Sequence, residues 1–123
     1  MAPKTRKKPS IPYRVYVTYL PDGRYYIGYS QKPDKLFEKY YGSARIVKEY
    51  KDPTLLRKDV IVEYTTKSHA KMQEFLLQWQ CRDDPMCIND MVHLRLRLSY
   101  LKNFQPIDWI PGQLSITTNK ESH

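Results

Sequence analysis

The chain has 123 residues, of which 41% are hydrophobic and 28% charged, so it fits one globular domain with a modest core. Lys and Arg total 21 against 13 Asp and Glu, a formal charge of +8 that favours an anionic partner such as nucleic acid. No run of 18 apolar residues occurs, and the charged N-terminus has no apolar stretch behind it, so neither a membrane span nor a signal peptide is expected. The two cysteines, Cys81 and Cys87, are too few for a four-cysteine zinc site. The reducing interior of a cell is the default compartment.

Residues 1–11 are basic and proline-bearing, and read as a disordered arm able to lie along phosphates. The domain itself is expected over 12–112, with a loose tail over 113–123. Tyr13 to Leu20, rich in aromatic and β-branched residues, predicts a strand. Pro21-Asp22-Gly23 predicts a three-residue hairpin loop into a second strand, Arg24 to Gly28. That register pairs Thr18 with Tyr26 and Tyr16 with Gly28, and puts Tyr16 and Tyr26 on one face, away from Val15, Val17 and Ile27. A two-residue Asp-Gly loop would put the two tyrosines on opposite faces; the position of Pro21 favours the longer loop.

Asp34 is a candidate cap for a short helix carrying Leu36, Phe37 and Tyr40, ending near Gly42. Ser43 is a candidate cap for another, through Ile46 and Tyr50 and stopped before Pro53. Asp59 to Tyr64 predicts a third strand. From Lys67 to Gln80 the residues Met72, Phe75, Leu76 and Trp79 recur at helical spacing, which predicts an amphipathic helix with that stripe as its apolar face. His93 to Leu98 alternates as a strand would, yet Leu94, Leu98 and Leu101 also suit a helix. The order predicts an α+β fold: a small, mainly antiparallel sheet, made of the N-terminal hairpin and the third strand, packed with helices.

The hairpin carries Arg14-Val15-Tyr16 and, after a short gap, Tyr26-Ile27-Gly28. Later come Tyr41-Gly42-Ser43, Ala70 with Glu74 four residues on, and Asp84-Pro85-Met86-Cys87-Ile88-Asn89. In that order these resemble the motifs of the GIY-YIG endonucleases, in particular the phage and homing-endonuclease branch, over Tyr13 to Asn89. The second motif matches as written, whereas Arg14 stands where the first motif has glycine.

The resemblance implies a metal-dependent endonuclease hydrolysing DNA phosphodiesters. Glu74 would hold a divalent ion, usually magnesium. Tyr16 would be the general base or water-orienting phenol, Tyr26 a second phenol at the phosphate, and Gly28 and Asn89 supporting residues. Phosphodiester hydrolysis needs an activated water and neutralised phosphate charge, and a phenol of ordinary pKa near 10 must be assisted to serve as base. The family's phosphate-clamping arginine is not at its usual place, where Lys35, Leu36 and Lys39 stand; Arg45 on the following helix is the candidate substitute, with Lys39 or Lys48 as the alternative point charge.

Arg24, Lys35, Lys39, Lys48 and the basic arm would contact DNA, with Arg95 and Arg97 as a further basic stripe. Tyr29, Tyr40 and Tyr41 are interleaved for stacking. Against these stand plainer readings: Tyr16 and Tyr26 as cross-strand packing, Glu74 as a solvated helix residue, the lysines as a solvated face. On the function, a non-catalytic nucleic-acid- or partner-binding protein on the same scaffold and a small virion protein remain alternatives. Alternating Leu94, Leu96 and Leu98 can serve an edge strand, which leaves a homodimer open.

Overall fold

In the computed structural model, residues 11–89 and 94–113 are described. The expected arm (1–11) and tail (113–123) lie almost wholly outside them, as does His93. The loop after Leu20 sets the sheet. Leu20 N–H donates to Arg24 O at 2.8 Å and Gly23 N–H to Leu20 O at 3.0 Å, closing the three-residue turn. The hairpin strands β1 (Tyr13–Tyr19) and β2 (Tyr25–Ser30) therefore pair Thr18 with Tyr26 and Tyr16 with Gly28, as the turn chemistry predicts. β3 (Arg57–Tyr64) pairs antiparallel with the other edge of β1, giving the order β2-β1-β3 with a bulge opposite Val15 and Tyr16. The α+β class follows from this antiparallel sheet and, among the described residues, three α-helices: α1 (Asp34–Glu38), α2 (Arg45–Lys48) and α3 (Lys67–Gln80).

One face of the sheet makes the main core. Val15, Val17, Tyr25, Ile27, Ile61, Val62 and Tyr64 pack with Ala70 and Leu77 of α3 and with Ile107 and Trp109. Here the predicted apolar stripe is corrected. α3 buries Ala70, Gln73, Leu77 and Gln78, while Trp79 is 51% exposed and Met72, Phe75 and Leu76 are only half-buried. The two buried glutamines are hydrogen-bonded at this face through one end each. Gln73 Oε1 accepts from the Tyr64 hydroxyl at 3.0 Å and from Ile107 N–H at 2.9 Å, and Gln78 Nε2 donates to Ile27 O at 3.0 Å. The displaced stripe covers itself: the Phe75 and Trp79 rings stack at 6.2 Å, with the Arg82 guanidinium 4.1 Å from the Trp79 centroid.

The opposite face holds α1 through cations. Phe37 lies between the Arg14 guanidinium, 4.8 Å from its ring centroid, and the Lys58 ammonium, 3.6 Å away. Arg14 also donates to Lys32 O at 3.0 Å and pairs with the carboxylates of Asp34 and Glu63. Lys58 donates to the carbonyls of Phe37 and Tyr40, which end α1. Burial foremost, and then the charge of Arg14, lower the Lys58 pKa to about 8.

Three local expectations change. Asp34 is the first residue of α1, not its cap, because its carboxylate is taken by Arg14. Ser43 does not cap α2, whose cap position is Ala44; α1 and α2 are shorter than predicted. Residues 94–97 have no regular structure and Leu98–Leu101 form a 3-10 turn, so neither the strand nor the longer helix forms there.

The outer edge of β2 is closed by the segment after α3. Tyr25 N–H donates to Met86 O and Ile88 N–H to Tyr25 O, each at 2.9 Å. Asn89 then reads both backbone groups of Ile27, accepting from its N–H at 2.8 Å and donating to its carbonyl at 2.9 Å. Among the described residues, no helix is long and apolar enough to cross a membrane.

Candidate functional site

An open cavity of about 560 Å³ lies where β2, the loop after it and α3 meet. It is lined by Tyr13, Tyr26, Tyr29, Ser30, Gln31, Lys32, Tyr40, Ser43, Lys67 and Glu74. Each element delivers its side chain for a local reason. The hairpin register turns Tyr26 to the face away from the main core. α3 presents Lys67 and Glu74, seven residues apart and thus two turns along one face. The polar loop after β2 brings Lys32 over the Tyr40 ring, 4.7 Å from its centroid.

Glu74 is the carboxylate among the lining residues. It is half-buried, and the ion pairs of the described residues do not include it. Burial pushes its pKa up to about 7, against the lowering influence of the Gln78 side chain and the Lys71 charge. Tyr26 is raised by burial, an effect opposed by its Ser43 hydrogen bond of 2.9 Å. Tyr29 is raised by burial and then by the Glu74 charge.

Tyr16 sits one layer below the cavity. It is 1% exposed, with ring centroids of Phe37, Tyr40 and Tyr26 at 5.5, 6.1 and 6.4 Å. Burial, followed by the neighbouring Tyr40 and Tyr26, drives its phenol far above the ordinary value. Tyr16 is thereby a wall behind the rings of Tyr26 and Tyr40, two of the four tyrosines that line the cavity. Gly28 permits this layering, since a Cβ there would meet the Tyr16 hydroxyl at 2.8 Å and the Tyr26 ring at 3.0 Å.

Of the residues singled out in the sequence, Tyr26, Tyr29, Tyr40, Ser43 and Glu74 line the cavity, Tyr16 and Gly28 lie against the Tyr26 ring, and Asn89 holds the backbone of Ile27 beside it. The cations do not follow. The Arg45 side chain is 87% exposed and pairs with Glu49 at 3.2 Å, because a one-turn α2 points it to solvent. Arg24 is held by Asp22 at 2.7 Å, and Lys35, Lys39 and Lys48 are exposed away from the lining. Lys32 and Lys67 occupy the cavity in their place. Lys67 was findable, since it stands seven residues before Glu74; Lys32 was not, because only the loop's path brings it there.

The donors suit a hard divalent cation. A carboxylate, phenols and the Ser43 hydroxyl are all oxygen donors, and a half-buried carboxylate in no ion pair among the described residues gains from a cation. Among the described residues no group of three or more His, Cys, Asp and Glu is poised for a metal. A single carboxylate beside hydroxyl oxygens would suit only an ion that keeps several waters, as magnesium does when it takes one or two carboxylates plus substrate phosphates. Comparisons with protein families, with characterised proteins and with solved structures return no match.

Proposed function

We propose that the chain is a magnesium-dependent endonuclease acting on DNA inside the cell, of the GIY-YIG kind its motifs resemble. The observation that carries this reading is the Glu74 carboxylate, half-buried and in no ion pair among the described residues, sharing one open cavity with Tyr26, Lys32 and Lys67. When bound, magnesium supplies charge stabilisation to the phosphate and acidifies a coordinated water. Glu74 would hold the ion. Lys32 and Lys67 neutralise the phosphate as point charges, in place of the guanidinium fork. Tyr26 orients the attacking water, and the surrounding basic surface draws the DNA in.

A second reading has an observation of its own: no arginine is among the lining residues. It holds the same scaffold to be a non-catalytic DNA-binding protein. Conversion of supercoiled plasmid with magnesium separates them, comparing the wild type with Glu74→Ala and Tyr26→Phe. Cutting that needs magnesium and is lost in both variants supports the nuclease. Salt-sensitive DNA retention without cutting supports the binder, and cutting that persists in both variants refutes the assigned centre.

A further inference from the structure

Tyr26 is gripped from two directions. Gly42, with φ of +139°, brings its backbone against one part of the ring, where a Cβ would lie 2.7 Å from two ring carbons. Gly28 approaches the ring from within β2, a Cβ there lying 3.0 Å away. The Ser43 hydroxyl then meets the phenol oxygen at 2.9 Å on the cavity wall. This hydroxyl has no duty to the helix that follows, whose cap position is Ala44.

We propose that Gly42 and Ser43 form a socket that aims the Tyr26 phenol into the cavity, with Ser43 as its positioning residue. The socket stands on this geometry; the catalytic consequence rests on the nuclease reading above. A phenol's C–O–H torsion chooses between two in-plane directions, and a fixed hydroxyl partner selects one. With Ser43 donating, the phenol hydrogen is left for a phosphate oxygen; with Ser43 accepting, the phenol lone pairs are left for a water. Either way one polar direction of Tyr26 is occupied and the other faces the cavity. The two glycines fix the ring plane, so misplacement is confined to the hydroxyl when Ser43 is changed.

The test uses tyrosine labelled at the ring ζ carbon, with the Tyr26 signal assigned by its loss in Tyr26→Phe. Ser43→Ala is expected to move that signal, and Ser43→Thr, whose added methyl has room at this exposed position, to restore it. In plasmid cleavage Ser43→Ala should lower kcat by about tenfold with KM unchanged, because positioning acts on the bound substrate, and Ser43→Thr should recover it. Gly42→Ala should move the Tyr26 signal further than Ser43→Ala, since it displaces the ring. A Tyr26 signal unmoved by Ser43→Ala overturns the socket whatever the cleavage result. A moved signal in a protein that never cuts sinks the nuclease reading and leaves the socket standing.

Discussion

Replacing Glu74 by Gln keeps the side chain's shape and removes its charge, which turns the burial of this carboxylate into a stability measurement. In metal-free buffer the folded chain holds a group whose pKa is raised from 4.5 to about 7. Between those values the folded state binds more protons than the unfolded chain. The contribution of Glu74 is thus fully present below about pH 4.5 and is lost as pH rises through 7. The whole displacement corresponds to about 3 kcal/mol, and water in the open cavity trims it to about 1–2 kcal/mol. Glu74→Gln should therefore be more stable than the wild type by about 1–2 kcal/mol at pH 8, and match it within about 0.5 kcal/mol at pH 5. Urea unfolding in EDTA, followed by the fluorescence of the buried Trp109, measures this. Added magnesium should then stabilise the wild type and leave the variant unmoved. Parallel pH profiles for the two proteins would refute the desolvation argument, and equal stabilisation by magnesium would remove Glu74 from the ion's ligands.

Four other substitutions probe the scaffold. The lowered pKa of Lys58 means that the unfolded chain binds more protons between about pH 8 and 10.5. The wild type should gain stability relative to Lys58→Met as pH rises from 8 to 9.5, read as the difference in urea midpoints, and a constant difference would contradict it. Asn89→Ala removes both side-chain bonds to the Ile27 backbone and should cost about 2 kcal/mol in chemical denaturation, whereas a surface-like cost below about 0.5 kcal/mol would show the edge to be held otherwise. On α3, Leu77→Ala should cost about 2–5 kcal/mol and Trp79→Gln less than about 1 kcal/mol; the reverse order would restore the stripe suggested by hydropathy.

The hairpin and its register were readable from residues close in sequence. Pro21, Asp22 and Gly23 determine the turn, the turn determines which residues of β1 and β2 face each other, and the alternation puts Tyr16 and Tyr26 on one side. The α3 boundaries, Lys67 to Gln80, and the α+β class were readable for the same reason, as local propensity and period suffice for both. The tertiary structure alone decided which face of α3 is buried, since Gln73 Oε1 and Gln78 Nε2 meet partners outside the helix, at Tyr64, Ile107 and Ile27. It also decided that Tyr16 lies beneath the cavity while Tyr26 lines it, because Phe37 and Tyr40 arrive from another segment to cover the former. Which cations line the cavity was decided on the same principle, Lys32 and Lys67 standing there and Arg45 elsewhere. A charge count along the chain shows how many lysines and arginines there are, but a site is made by the few that a loop's path or a helix's turn directs to the same point in space.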